Sequence, residues 1–200
     1  MNPRIEIILG CMFSGKSTEL IRRLSRYEAV GIPTLLINSS LDTRTDNNVK
    51  THNNLTKSAR KTKNLMSLVN SIEYLSNNVI GIDEAQFFTD LKEFVLYSEN
   101  NKIIIIAGLD GDSDRQPFGQ ILECIPLCDE VVKLTAMDML SKDGTKAIFS
   151  KRISDNNDSK ILIGADEKYL AVSRNNFLKD DINFLEEQNF NESSYNRYGF

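Results

Sequence analysis

The sequence predicts an α/β fold, a doubly wound parallel sheet followed by a small C-terminal β-rich subdomain. Three observations carry that expectation. Arg4 to Leu9, Thr34 to Asn38, Val79 to Ile82, Ile103 to Ala107 and Glu130 to Leu134 read as short strands, too continuously apolar for a sheet with one wet face. Helical periodicity fills the gaps between several of them, giving the β-α-β alternation of a doubly wound sheet. From Thr135 onward the texture changes to short extended pieces separated by turn signals.

The first strand breaks at Gly10, which suits a tight loop. Lys16 to Val30 then turns helical, with Leu20, Ile21, Leu24 and Tyr27 at three- and four-residue spacing and Arg22, Arg23, Arg26 and Glu28 mostly elsewhere. Gly31 and Pro33 stop that helix. Leu65 to Leu75 and Asp90 to Glu99 are the next helical segments. Further on, Asp143-Gly144 marks a turn, Ser154 to Ser159 is polar, and Lys160 to Gly164 is extended. The expected organisation is a nucleotide-binding α/β domain over residues 1–134, a β-rich subdomain over 135–178 and a mobile tail over 179–200, where Phe184, Phe190 and Phe200 offer docking points.

Bulk properties narrow the function classes. With 200 residues, 40% of them hydrophobic, the chain fits one domain with a small appendage. A formal net charge of −4 argues against a protein that coats nucleic acid, which needs clustered Lys and Arg. The apolar run Ile103 to Leu109 falls far short of the roughly 20 residues of a membrane span, and no signal peptide is recognisable, so the expected location is the cytoplasm. Three cysteines, Cys11, Cys124 and Cys128, are too few and too scattered for a disulfide framework.

Gly10-Cys11-Met12-Phe13-Ser14-Gly15-Lys16-Ser17 satisfies G-x-x-x-x-G-K-[ST] between a strand and an amphipathic helix. The glycines let backbone N–H groups close around phosphate oxygens, and the helix N-terminus supplies partial positive charge. Lys16 reaches the β- and γ-phosphates, and Ser17 can ligate Mg²⁺. The core is therefore expected to be a P-loop NTPase (RecA-like) domain that uses ATP.

A second constellation, Asp83-Glu84-Ala85-Gln86-Phe87-Phe88, follows the strand Val79 to Ile82, at the carboxyl end where open α/β sheets bind ligands. Adjacent carboxylates beside a core strand repel each other unless a metal or substrate separates their roles. Asp83 suits Mg²⁺, directly or through water, and Glu84 suits a proton from a hydroxyl or water.

Together, Gly10 to Thr18 (GCMFSGKST), DEAQFF, Gly108 to Gly119 (GLDGDSDRQPFG) and Lys133 to Ala136 (KLTA) resemble the tetrameric, cellular-type (type II) thymidine kinases. Asp42-Thr43-Arg44 and Gly164 to Arg174 (GADEKYLAVSR) extend the likeness from residue 4 to about 178. The resemblance implies transfer of the γ-phosphoryl of ATP to the 5′-hydroxyl of thymidine, with Glu84 as general base, Lys16 and Arg44 on the transferred phosphoryl group, and Asp83 and Ser17 on Mg²⁺. It places Asp42, Thr43, Arg44, Asp83 and Gln86 with the phosphate loop, residues 10–18, in the ATP site. Met12, Phe87, Leu109, Ser113, Phe118 and Tyr169 fall to the nucleoside pocket, beside a lasso-like loop that matches Lys160, Ile161, Leu162, Ile163 and Gly164 and runs on to Tyr169. A homotetramer and feedback inhibition by the triphosphate end product are also implied.

The sequence departs from that family in two places. The family ties its small subdomain with zinc on two cysteine pairs, but the matching positions here are Asp138, Ser141, Ser173 and Asn176. That set is too hard and weakly charged to compete for zinc. Cys11 belongs to the phosphate loop and His52 is the only histidine, so no structural zinc is expected and the hairpins must be held by packing through Met137, Met139, Ile148, Phe149 and Ile161, or by neighbouring subunits. Ser113 stands where the family commonly carries an aromatic residue. Loss of a stacking ring costs on the order of 1 kcal/mol of base affinity, which leaves deoxyuridine or another deoxynucleoside as an alternative acceptor.

Other classes fit less well. A helicase-like nucleic-acid ATPase also carries a P-loop and a DEAQ sequence, but it needs a second RecA-like domain and a basic channel. A GTPase needs an N/T-K-x-D sequence, whereas Asn101-Lys102 runs into Ile103-Ile104. A nucleotide-binding relic without catalysis is opposed by the intact Lys16, Ser17, Asp83 and Glu84.

Overall fold

The computed structural model describes residues 2–42, 48–50, 56–153 and 168–179. The expectations for Thr43, Arg44, Lys160 to Gly164 and the tail beyond residue 179 lie outside the described residues. In chain order the elements are β1 (Arg4–Gly10), α1 (Lys16–Glu28), β2 (Thr34–Ser39), β3 (Asn48–Lys50), β4 (Thr56–Ser58), β5 (Arg60–Thr62), α2 (Ile72–Ser76), β6 (Val79–Asp83), α3 (Leu91–Ser98), β7 (Ile103–Gly108) and β8 (Glu130–Leu134). The small subdomain adds β9 (Ala136–Met137), β10 (Lys146–Ala147), β11 (Phe149–Arg152), β12 (Tyr169–Val172) and α4 (Arg174–Leu178).

The main sheet has the order β5-β2-β6-β7-β1-β8, and every pairing in it is parallel. Its two faces carry separate cores. Ile8, Leu36, Val79, Ile103 and Ile105 meet Leu20, Ile21 and Leu24 of α1 on one face. Ile5, Ile7, Ile37, Ile80, Ile82, Ile104 and Ile106 meet Tyr74, Leu91, Phe94 and Val95 on the other. Each fully buried aliphatic side chain of this kind contributes on the order of 2 kcal/mol. The α/β doubly wound class read from the apolar runs is thus the observed one, and α1 buries the stripe its periodicity marks. Tyr27 sits half-buried at the rim of that core.

Several elements differ from the sequence reading, among them these. Leu65 to Leu75 is a 3₁₀ turn at Met66–Leu68 followed by the separate helix α2, because the Ser71 side chain accepts from Tyr74 N at 3.1 Å and caps a new start. β5 is an added edge strand whose Arg60-Lys61-Thr62 sequence gives no apolar signal, and charge on an edge discourages further pairing. β8, read as fully buried, is the opposite edge, with Val131 41% exposed.

In the small subdomain the Asp143-Gly144 turn joins antiparallel β9 and β10 as expected. The packing does not follow the methionines: Met137 is 64% and Met139 38% exposed. Ala136, Ala147 and Ala171 instead close over Cys11. Beside them Asp138, only 2% exposed, anchors a hydrogen-bonded knot. One carboxylate oxygen accepts from Leu140 N (2.8 Å) and Ser141 N (3.0 Å), the other from Ser173 N (2.6 Å) and Asn176 Nδ2 (2.9 Å). Asn176 Nδ2 also donates to Ser141 Oγ at 2.8 Å. The four positions matched to the family's zinc cysteines therefore converge, joined by hydrogen bonds through a carboxylate.

Candidate active site

The site forms along the carboxyl ends of the parallel strands. β1 ends at Gly10, where close packing excludes a side chain: a Cβ there would lie 2.6 Å from Ser14 Oγ and 2.7 Å from the Leu134 carbonyl oxygen. The loop then turns through Phe13, a non-glycine residue at φ 62°, and Gly15 at φ 85°. Ser14 Oγ donates to the Cys11 carbonyl at 2.8 Å and Lys16 Nζ to the same oxygen at 2.7 Å. No side-chain hydrogen bond caps α1 at Gly15, so the first-turn N–H groups suit an anion. Cys11 is buried, and that burial pushes its thiol pKa up; it packs as an apolar residue. Ser17 and Thr18 are half-buried in the first turn of α1.

Two strands away, β6 delivers the acidic pair. Asp83 is 2% exposed and in register with Asn38 of β2. Asn38 Nδ2 donates to Asp42 Oδ2 at 3.0 Å, which sets Asp42 at the same edge of the sheet. Glu84 follows at φ 50°, ψ 42°, a left-handed backbone that costs a residue with a Cβ on the order of 1 kcal/mol or more and recurs at functional sites. Gln86 holds its side chain: Gln86 Nε2 donates to Glu84 Oε2 at 2.6 Å, while Gln86 Oε1 accepts from Leu109 N at 3.0 Å. The buried amide thus joins the end of β6 to the end of β7.

Phe87 and Phe118 of the apolar candidates pack beside this bridge. Phe87 and Phe118 pack edge to face with centroids 5.6 Å apart. Gly119 brings their loop against Gln86, where an added Cβ would lie 2.1 Å from the Gln86 carbonyl oxygen. Ser113 lies half-buried in the same loop. Met12 approaches from the phosphate loop, its N–H donating to Ser150 Oγ of β11 at 2.9 Å. Tyr169 opens β12, paired with Arg152 on β11. Sequence reasoning missed Ser150, since a serine far along the chain carries no local sign that it meets residue 12. It also placed Gln86 with the ATP residues without foreseeing its bridge from Glu84 to Leu109.

The donor set fits a magnesium nucleotide. A glycine-cradled loop, an uncapped helix start, a buried lysine and a hydroxyl next to it accommodate phosphates, and Mg²⁺ typically takes one or two carboxylates plus substrate oxygens and water. Among the described residues no group of three or more His, Cys, Asp or Glu side chains is placed to hold a metal, and no helix is long and apolar enough to cross a membrane.

Comparison with known proteins agrees with this geometry. The thymidine kinase family model matches residues 3–177. The thymidine kinase of Yaba monkey tumor virus is 48% identical over 178 residues, covering 87% of this chain and 96% of that protein. That of raccoon poxvirus is 43% identical over 177 residues (88% and 97%), and that of vaccinia virus strain Western Reserve 44% over 171 residues (85% and 94%). A family model matching residues 3–177 and relatives 43–48% identical over most of the chain show that this protein is a member of the thymidine kinase family.

Proposed function

We propose that the chain transfers the γ-phosphoryl group of ATP to the 5′-hydroxyl of thymidine, giving thymidine 5′-monophosphate and ADP. The observation that carries this reading is the bridge from Glu84 through Gln86 to Leu109. It holds a carboxylate on a left-handed backbone at the end of β6, next in sequence to the Phe87–Phe118 pair, which supports a role for Glu84 as the base in this reading. A base poised between a phosphate cradle and an aromatic slot is the arrangement that moving a phosphoryl group onto a nucleoside requires.

In this reading the backbone of residues 10–17 and Lys16 hold the β- and γ-phosphates, and Ser17 and Asp83 hold Mg²⁺. The metal supplies neutralisation of charge on the phosphate oxygens. Phe87, Phe118, Leu109, Met12 and Tyr169 enclose the base. Glu84 accepts the proton of the 5′-hydroxyl as that oxygen bonds to phosphorus and the bridge to the departing ADP breaks. Gln86 orients Glu84 throughout. Arg44 and the segment Lys160 to Gly164 join the site by resemblance to the family, which also implies a homotetramer and feedback inhibition by the triphosphate; a cytoplasmic location rests on the sequence, in which no signal peptide is recognisable.

Ser113 favours a second reading, in which the acceptor is another pyrimidine deoxynucleoside, since no ring occupies that position. Initial rates with thymidine, deoxyuridine, deoxycytidine and purine deoxynucleosides separate the two. The expected result is the highest kcat/KM for thymidine and no turnover without Mg²⁺. Preference for deoxyuridine or deoxycytidine would transfer the assignment to the second reading, and turnover of none would remove both.

A further inference from the structure

The loop that carries Leu109 and Phe118 is closed on itself. Asp112 Oδ1 accepts from Asp114 N (2.9 Å) and Gln116 N (2.8 Å), Asp112 N donates to Gln116 O (2.9 Å), and Gly111 bridges Pro117. Its stem is pinned on the core side, where Lys133 pairs with Asp110 at 2.5 Å and Leu109 N donates to Gln86. The loop is thus braced within itself and at its stem. At its tip Arg115 is held at φ 63°, a backbone disfavoured for a side chain with a Cβ.

That turn aims Arg115 at the small subdomain. Its guanidinium carbon lies 4.7 Å from the Phe177 ring centroid and 5.8 Å from that of Phe149, within cation–π range of both. The two rings pack together at 5.0 Å, and Arg174 places a second guanidinium 5.2 Å from Phe149. Phe149 precedes Ser150, the residue that accepts from Met12 N in the phosphate loop. Successive residues of β11 thus engage the nucleoside loop and the phosphate loop.

We propose that Arg115 is a positioning residue for the nucleoside: its stack on Phe177 and Phe149 docks the 109–119 loop on the small subdomain and so sets where Leu109 and Phe118 stand. Arg115 itself does not touch the nucleoside. The inference rests on the reading that Phe118 lines the nucleoside site. It locates base affinity partly in a contact between loop and subdomain that is remote from the phosphates.

The test is steady-state kinetics on the full chain with Arg115→Met, Arg115→Lys, Phe177→Leu, the Arg115→Met/Phe177→Leu double variant and Phe118→Ala, together with thermal melting. Arg115 is exposed, so its variants are expected to fold. Arg115→Met is expected to raise the KM for thymidine about three- to ten-fold, as loss of a cation–π contact does, with KM for ATP, kcat and Tm near wild type. Arg115→Lys should recover part of that loss. The double variant should be no worse than the poorer single, because both remove one contact.

A thymidine KM for Arg115→Met within two-fold of wild type, additive effects in the double variant, or parallel losses in Tm and ATP affinity would overturn the proposal. If the Arg115 variants leave KM alone while Phe118→Ala raises it, the docking role fails and the nucleoside-site reading survives. If Phe118→Ala also leaves KM unchanged, both fall.

Discussion

Glu84→Gln is expected to lower kcat about 10²- to 10⁴-fold, the range for removing a positioned base, while the KM for ATP stays near wild type. The substitution keeps the size of the side chain and leaves an oxygen to accept from Gln86 Nε2, which now bonds Glu84 Oε2 at 2.6 Å. What it removes is the ability to take a proton. The hydrogen bonds that Ser14 and Lys16 give to the Cys11 carbonyl, and that Met12 N gives to Ser150, do not run through Glu84. A kcat within a few-fold of wild type would deprive Glu84 of its role and leave the left-handed backbone at φ 50° as a turn feature.

Asp138→Ala is expected to have the largest effect on stability, a loss of about 2–4 kcal/mol in denaturant unfolding, because it strands donors around a buried position. Leu140 N, Ser141 N and Ser173 N lose the Asp138 acceptor at once, and Asn176 Nδ2 keeps only Ser141 Oγ. Asp138→Asn should be nearly as damaging, since an amide NH₂ would face two of those donors. Burial alone would raise the Asp138 carboxyl; the hydrogen bonds from Ser173, Ser141 and Leu140 outweigh it and hold the pKa at about 2 against an ordinary 3.8.

The folded pKa lies below the unfolded one, so the stabilisation is complete above the ordinary value and disappears as pH falls from about 4 to about 2. Acid titration of wild type should therefore show a loss of stability across that window that is missing from Asp138→Ala. Identical acid limbs would contradict the knot. A strong zinc chelator in excess Mg²⁺ is expected to leave activity intact, since the Asp138 oxygens are already committed to N–H donors.

The core was legible because strands buried on both faces leave little room for polar residues: Ile80 and Ile82, or Ile104 and Ile106, admit few other readings. The place of residues 10–17 between β1 and α1, and of Asp83 and Glu84 at the end of β6, was legible because glycine turns and acidic residues at a strand end are local signals. What escaped has a physical reason in each case. β5 reads Arg-Lys-Thr, which as an edge strand needs no apolar side chain to pair. Leu65 to Leu75 holds a helical period across a break, because the Ser71 cap that divides it competes with a pattern set by burial. Met137 and Met139 look like core by composition, yet the buried apolar residues of these short strands are Ala136, Ala147, Ala171 and Val172, and the methionines stay exposed.

Long-range polar contacts were the hardest to read. Asp138 and Asn176, or Met12 and Ser150, are distant in sequence, and nothing in a polar residue's identity says which donor it will meet. The resemblance aligned Asp138, Ser141, Ser173 and Asn176 with a metal site, and the structure converts that alignment into a spatial cluster of different chemistry.

The most direct measurement is identification of the product formed from Mg·ATP and thymidine by mass spectrometry and phosphorus NMR, with 5′-deoxythymidine as the acceptor lacking the reacting hydroxyl. The expected result is thymidine 5′-monophosphate and ADP in equal amounts with thymidine, and neither with 5′-deoxythymidine. ADP released without a phosphorylated nucleoside, or phosphate found on the 3′-hydroxyl, would contradict a site in which Glu84 delivers the 5′-oxygen to the phosphate loop.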